Sequence, residues 1–482
     1  MTRDEELRQA IIDAPDDLDL RRIYADHLQH EGDLRGEYIA LACNATDEAV
    51  PHEMRRRALW QHYGEAWKRE DGFSDDALTY RNGFCEWFVT SPAQLPDQTE
   101  YLLRQPVTHL TLGSGDGERL DGLANHPLLP RIRHLTIFTS VDDPIAIADV
   151  VDAASNITEL AITCYDSRTV GWDALARCSQ LDRIEMLDID ATLTPRTARW
   201  LTDHLPRLKR LRLSGIVIES GALAVLAERL PILDELVIGV EELDDHAELV
   251  EAFAGPWTRA LKSLVLTPVE FDATAIAHLA PTLTQLELTS QDRSFCEALS
   301  SHDWPALETL DLSDTPLDTL DLRRFAKLVS LNSDAKQDVR RIVEHAPRLS
   351  HVGIDQVDDA DVDAIMTLPL VSANLSTSQI TTAAIDRIAQ PSPTLRTLRL
   401  AANVGAPAMA RFATAGWPYI DQITLLVGAD HQKTRSRFAA GWIEREQGAF
   451  YTYERKLELS GTPVPIAAEP VSFFSRVRSL FQ

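Results

Sequence analysis

The sequence predicts an α/β solenoid of about 14 strand-and-helix units, entered through a small all-helical region. Three observations predict it. First, one pattern recurs from residue 107 onward: "LPRIRHLTI" at 129, "LPRLKRLRL" at 205, "LPILDELVI" at 230, "APTLTQLEL" at 280, "WPALETLDL" at 304, "APRLSHVGI" at 346, "SPTLRTLRL" at 392 and "WPYIDQITL" at 417. Second, each copy ends in two aliphatics separated by one residue, which point the same way from a short strand while the residue between them faces out. Third, the strands are followed by stretches such as "TARWLTDHL" and "GALAVLAERL", whose apolar residues fall at three- and four-residue spacing, and a Pro then stops the helix.

Taken in order, the first strand aliphatics are read at Leu110, Leu135, Leu160, Ile184, Leu211, Leu236, Leu264, Leu286, Leu310, Leu331, Val352, Ala373, Leu398 and Ile423, spaced 21 to 28 residues apart. A period of this size and pattern resembles a leucine-rich-repeat solenoid. The resemblance implies strands on a concave face and helices on a convex one, close to the ribonuclease-inhibitor style. The usual family motif places Asn or Cys three residues after the second strand aliphatic, and this chain departs from it with Gly115, Ser140, Tyr165, Gln291 and Thr315; Asn403 alone fits.

Residues 1–45 read as three helices, "DEELRQAII", "DLDLRRIYADHLQHEG" and "GEYIALAC". On the second, Leu20, Ile23, Tyr24, His27 and Leu28 share one face, so His27 reads as a structural histidine rather than a catalytic one. The run "YADHL", "GD", "RGEYIAL" resembles the repeat-companion domain that precedes leucine-rich repeats in many bacterial proteins, notably of myxobacteria and planctomycetes, although His27 stands where that family usually has Trp. "EAWKRE" and "YRNGFCEWFVTSPAQL" resemble its connector. No enzymatic activity is implied. Asp26, Arg35 and Glu37 are expected to form a salt-bridged, capping set, with Gly36 allowing a tight turn. The expected organisation is 1–45 companion domain, 46–106 connector and N-terminal cap, 107–430 repeats, 431–459 capping hairpin, 460–470 linker and 471–482 amphipathic tail helix.

Composition is that of an ordinary globular chain, with 44% hydrophobic and 25% charged residues over 482 positions. A formal charge of −27 opposes binding to nucleic acid and acidic lipid. The acidic start "MTRDEELRQA" lacks the pattern of a signal peptide, and the five scattered cysteines form no CxxC. The expectation is a bacterial cytoplasmic protein without cofactor or metal. Nucleotide-binding, zinc-hydrolase, serine-hydrolase and kinase motifs do not occur, and "DDADVD" lacks the Gly and Glu of a calcium loop.

Binding in a solenoid falls to the outward strand positions. There Glu235, Glu287, Asp311, Asp334 and Asp355 form an acidic band expected to attract a protein partner with a basic or neutral surface. At the C-terminus, "VSFFSRVRSLFQ" places Phe473, Phe474, Val477, Leu480 and Phe481 on one helical face, with Ser472 as N-cap. So short a helix needs a surface. A groove on a second partner, a membrane interface and the flank of its own solenoid all fit. The sequence therefore reads as a non-catalytic interaction scaffold or recognition subunit. The alternatives are a membrane-peripheral protein held by its tail and a repeat-bearing effector enzyme, the latter short of room for a catalytic domain after residue 430.

Overall fold

A computed structural model gives the fold; the residues it describes are 2–44, 50–73, 78–113, 119–139, 143–164, 171–243, 246–267, 276–289, 293–313, 315, 317–333, 338–376, 381–390, 392–401, 411–412, 420, 422–426, 442–447 and 450–455. The chain divides into two compact units. One holds Met1–Phe88 and Asp97–Thr108; the other holds Val89–Pro96 and His109–Lys456.

The first unit begins with helices α1 (Arg3–Asp13), α2 (Leu18–His30), α3 (Leu34–Cys43) and α4 (Val50–Glu70). Each of the first three starts where a side chain accepts from the helix's free amides: Thr2 in a capping box with Glu5, Asp17, and Asp33. Leu7, Ile11, Leu20, Tyr24, Leu28, Ile39 and Leu41 form the core between them. Gly32 ends α2 with φ 81°. Gly36 has a different task from the tight turn expected of it. It sits within α3, where a Cβ would lie 2.5 Å from the Ala25 carbonyl and 2.8 Å from the Gln29 amide, so its bare backbone lets α2 and α3 touch.

Strands β1 (Leu78–Arg81) and β2 (Phe84–Thr90) pair antiparallel around Asn82 and Gly83, both at positive φ, as a two-residue hairpin turn requires. Buried arginines hold this hairpin. Arg35 donates to the Gly83 carbonyl and forks onto Asp71 (2.5 and 3.2 Å), which also accepts from Arg8 (3.0 Å) and Tyr80 (2.8 Å). Arg21 pairs with Glu86 at 2.6 Å. The set expected of Asp26, Arg35 and Glu37 is thereby corrected: Glu37 is paired with Arg55 (2.8 Å), while Asp26 is exposed. The partners come from α4 and the residue after it, too far along the chain for a local pattern to show.

The second unit is a stack of parallel strands: β3 (His109–Gly113), β4 (His134–Thr139), β5 (Glu159–Cys164), β6 (Met186–Ile189), β7 (Arg210–Ile218), β8 (Glu235–Leu243), β9 (Ser263–Thr267), β10 (Gln285–Thr289), β11 (Thr309–Ser313), β12 (Ser330–Ser333), β13 (His351–Ile354), β14 (Ser372–Ser376), β15 (Thr397–Ala401) and β16 (Gln422–Leu426). Each pairs in parallel with the next. Beyond them, β17 (Trp442–Gln447) and β18 (Phe450–Arg455) pair antiparallel, and β18 runs antiparallel to β16.

This is a leucine-rich-repeat solenoid. One register line runs through Leu110, Leu135, Leu160, Leu187, Leu211, Leu236, Leu264, Leu286, Leu310, Leu331, Val352, Ala373, Leu398 and Ile423. Leu187, not Ile184, takes the fourth place. The units typically bury three aliphatics, with Ser333 taking the third place in the β12 unit, and Ile184 is the earlier one, closing the 3-10 turn Leu181–Arg183 as Leu208 and Leu233 precede the following strands.

Helix α5 (Leu95–Leu103) precedes β3; between the later strands come α6 (Pro144–Ala153), α7 (Trp172–Leu175), α8 (Pro195–His204), α9 (Ala222–Arg229), α10 (His246–Phe253), α11 (Arg293–Ser300), α12 (Val339–His345), α13 (Asp359–Ile365) and α14 (Thr382–Ile388), with α6 to α10 and α12 to α14 each packed on the next. Between α10 and α12, 3-10 turns such as Ala277–Leu279 and Leu322–Arg324 stand in for longer helices. Trp257 and Trp304 bury their indoles and donate to the Leu230 and Leu299 carbonyls (2.9 and 3.0 Å). Exposed pairs Asp203–Arg229 and Asp363–Arg387 (2.8 and 2.9 Å) tie one helix to the next.

Candidate functional site

The open face of the parallel sheet presents up to three outward residues per strand, as in β10 and β11, because inward positions alternate with them. The row between the two aliphatics reads Thr111, Thr136, Ala161, Asp188, Arg212, Val237, Val265, Glu287, Asp311, Asn332, Gly353, Asn374, Arg399 and Thr424. Adjacent members stand about 4.8 Å apart.

Toward the N-terminal strands the charges neutralise one another. The His109 and His134 rings stack at 3.8 Å, His134 Nδ1 lies 2.5 Å from Glu159, and Arg210 takes the other Glu159 oxygen. Burial alone would raise the Glu159 carboxyl; His134 and Arg210 outweigh it and hold it below its ordinary value. Glu235, expected to serve the acidic band, is engaged by Arg212 through Nε and Nη2 (2.9 and 2.7 Å). Asp188 faces Arg212 across the register; burial raises its carboxyl, with Asp190 and Glu235 adding to the rise and Arg212 opposing it.

Farther on, the balance changes. Glu287 on β10 is the register partner of Asp311 on β11, and among the described residues neither has a Lys or Arg partner. Burial, and then the Asp311 charge, hold the Glu287 carboxyl above its usual range. Asp311 accepts from Asn332 Nδ2 (2.8 Å) and Ser313 Oγ (2.9 Å), hydrogen bonds that orient it without cancelling its charge. Asn332 can lean toward the next strand because Gly353 leaves the room: a Cβ there would lie 1.9 Å from Asn332 Oδ1.

Of the other expected residues, Asp355 follows β13, and its amide donates to the Ser333 carbonyl at 3.2 Å. Asp334 and the tail residues Phe473, Phe474, Val477, Leu480 and Phe481 lie outside the described residues. Thus the structure brings Glu287 and Asp311 together and sets Glu235 apart from them. Two kinds of outward residue escape the sequence reading. Asp188 is displaced by the Ile184 register, although the alternation in "MLDI" carries it; Val237 and Val265 are apolar, but "LVI" and "LVL" put them between the aliphatics.

Among the described residues no group of His, Cys, Asp and Glu could hold a metal ion, and no helix is long and apolar enough to cross a membrane. Cys43, Cys85, Cys178 and Cys296 are buried free thiols, and burial pushes the Cys178 thiol up to about 11.

No protein-family model matches the chain, and no curated protein matches it. Solved structures do. The yeast Rad7 and Elc1 complex is similar at 16% identity over 68% of this chain and 92% of that one, with a TM-score of 0.45. A leucine-rich-repeat protein of Leptospira interrogans is similar at 14% over 66% and 90%, with a TM-score of 0.33. The TLR13–ssRNA13 complex is similar at 14% over 72% of this chain and 51% of that one, with a TM-score of 0.31. Scores of this size carry no argument, and the fold rests on the register and burial of the strands themselves.

Proposed function

We propose that the chain is a non-catalytic recognition scaffold whose open strand face binds a protein partner with a basic surface. The carrying observation is the Glu287–Asp311 pair: two half-buried carboxylates on neighbouring strands, unmatched by a Lys or Arg among the described residues, on a face where Glu159 and Glu235 already have arginine partners. Juxtaposed acids of this kind gain most from an incoming guanidinium or ammonium, which relieves their mutual repulsion and selects the partner by charge. Asp355, just after β13, is counted with the band, Asp334 is counted with it from the sequence alone, and Glu235 contributes little because Arg212 already balances it. In this reading 107–430 recognises the partner, 1–45 is an accessory domain, and 471–482 docks a second component through Phe473, Phe474, Val477, Leu480 and Phe481.

The test is titration of the full chain with a labelled alternating Lys-Ala peptide. Glu287→Gln with Asp311→Asn is expected to weaken binding about tenfold, from roughly 0.7 kcal/mol for each half-exposed ion pair lost. Glu228→Gln with Glu251→Gln removes the same charge from exposed helix positions and is expected to leave it nearly unchanged. Equal weakening by both pairs would mean that net charge alone attracts the peptide, and the assignment to the strand face would fall.

A further inference from the structure

Given a partner bound on the strand face, a reading on which this inference rests, the outward residues also limit that partner's shape and register. Immediately before Glu287 and Asp311, the same row holds Val237 and Val265, register partners on β8 and β9, both half-buried and both facing out. Val265 is in turn the register partner of Glu287, so the apolar pair and the acidic pair are continuous. Two residues on from Val237, Gly239 carries no side chain, and a Cβ built there would only touch Thr267 Oγ1 at 3.6 Å, so the dip beside the two valines is no larger than a methyl group. In the neighbouring outward row Glu235 stands beside Val237, and Ser263 and Gln285 follow with uncharged side chains. On the other side of it, Arg212 is already spent on Glu235.

We infer that the open face receives an amphipathic helix of a partner protein, carrying an aliphatic side chain at one position and Arg or Lys seven residues away. The centre of the valine pair and the centre of the acidic pair are two strand steps apart, about 9.6 Å. A helix lying across the strands advances about 10.5 Å in seven residues and returns to nearly the same face. The aliphatic residue then seats on Val237 and Val265, in the dip at Gly239, while the cation reaches between Glu287 and Asp311. An apolar anchor next to a charge-matched pair is the arrangement that concentrates affinity in a few contacts. It also fixes the register, because a helix shifted by one strand step would place its cation on Val265 or its aliphatic group on a carboxylate.

The experiment is selection of a displayed library of helix-forming peptides, about five turns long and randomised along one face, on the full chain. The expected consensus is an aliphatic residue with Arg or Lys seven positions away. Labelled consensus peptide is expected to lose affinity about fivefold on Val237→Thr with Val265→Thr, and about tenfold on Glu287→Gln with Asp311→Asn. Both pairs of changes lie on outward positions and keep side-chain size, and an unchanged thermal midpoint checks that the fold is retained. Enrichment of basic peptides with no fixed aliphatic partner, bound equally by the valine variant, overturns the helix register while leaving the strand-face reading intact. A consensus insensitive to both variants, or no enrichment, overturns both.

Discussion

Replacing Asp71 by Asn tests what fastens the helices of the first unit to its hairpin. The carboxylate is 2% exposed at its side chain and receives two bonds from Arg35, one from Arg8 and one from Tyr80. The Arg35 side chain is itself only 5% exposed, and its remaining partner is the Gly83 carbonyl. Removing the negative charge therefore strands a buried guanidinium, a loss of about 3–5 kcal/mol. With a urea slope near 2 kcal/mol per molar, the first unit's midpoint is expected to fall by about 2 M. Trp60 and Trp67 pack on each other and on Tyr38 within this unit, and hydrogen exchange in β1 reads its opening. The pH dependence has a definite sign. Burial alone would raise the Asp71 carboxyl, but Arg35 and Arg8 outweigh it and hold it below the usual carboxylate range. Its folded value is depressed, so its contribution is fully present above the ordinary value of about 3.9 and is lost as pH falls through the folded value. The Asn variant should lack that component of the acid transition. A loss under about 1 kcal/mol, or an unchanged acid transition, would refute the reasoning, since the network would then recover no more than the desolvation of its charges costs.

Two further perturbations separate close packing from surface charge. Gly36→Ala puts a Cβ against backbone atoms of α2 and is expected to destabilise the first unit by about 2–3 kcal/mol, read as its urea midpoint; a neutral result would mean that α2 and α3 separate without cost. Arg229→Ala breaks the exposed pair with Asp203 and is expected to cost less than about 0.5 kcal/mol at low salt and nothing measurable at high salt, because both side chains are about half exposed; a larger loss in thermal denaturation would mean that these inter-repeat pairs act cooperatively.

How legible each part is depends on how far apart in the chain its causes lie. The repeat is legible because a strand needs aliphatics two apart and a helix needs them three or four apart, so each unit carries its fold in about two dozen consecutive residues. Even the register slip at Ile184 is local: that unit offers aliphatics at 184, 187 and 189, all of them buried, and only pairing with Leu160 and Leu211 decides which two belong to the strand. Asp71 is a different case. Nothing around it announces a partner, because Arg8 and Arg35 lie 63 and 36 residues away and meet it only once α1, α3 and the end of α4 have packed. Gly36 reads as a turn because glycine's freedom is visible in sequence, whereas the absence of a Cβ between two helices is not. The strand face falls between these limits. Its outward residues follow from alternation, but whether a carboxylate there is available depends on the next strand. Glu235 and Glu287 are both outward acids beside a strand leucine in "ELVI" and "QLEL", yet Arg212 pairs with one and Asp311 is the register partner of the other. Periodicity places a charge on the face, and the neighbour about 4.8 Å away decides whether that charge remains for a partner.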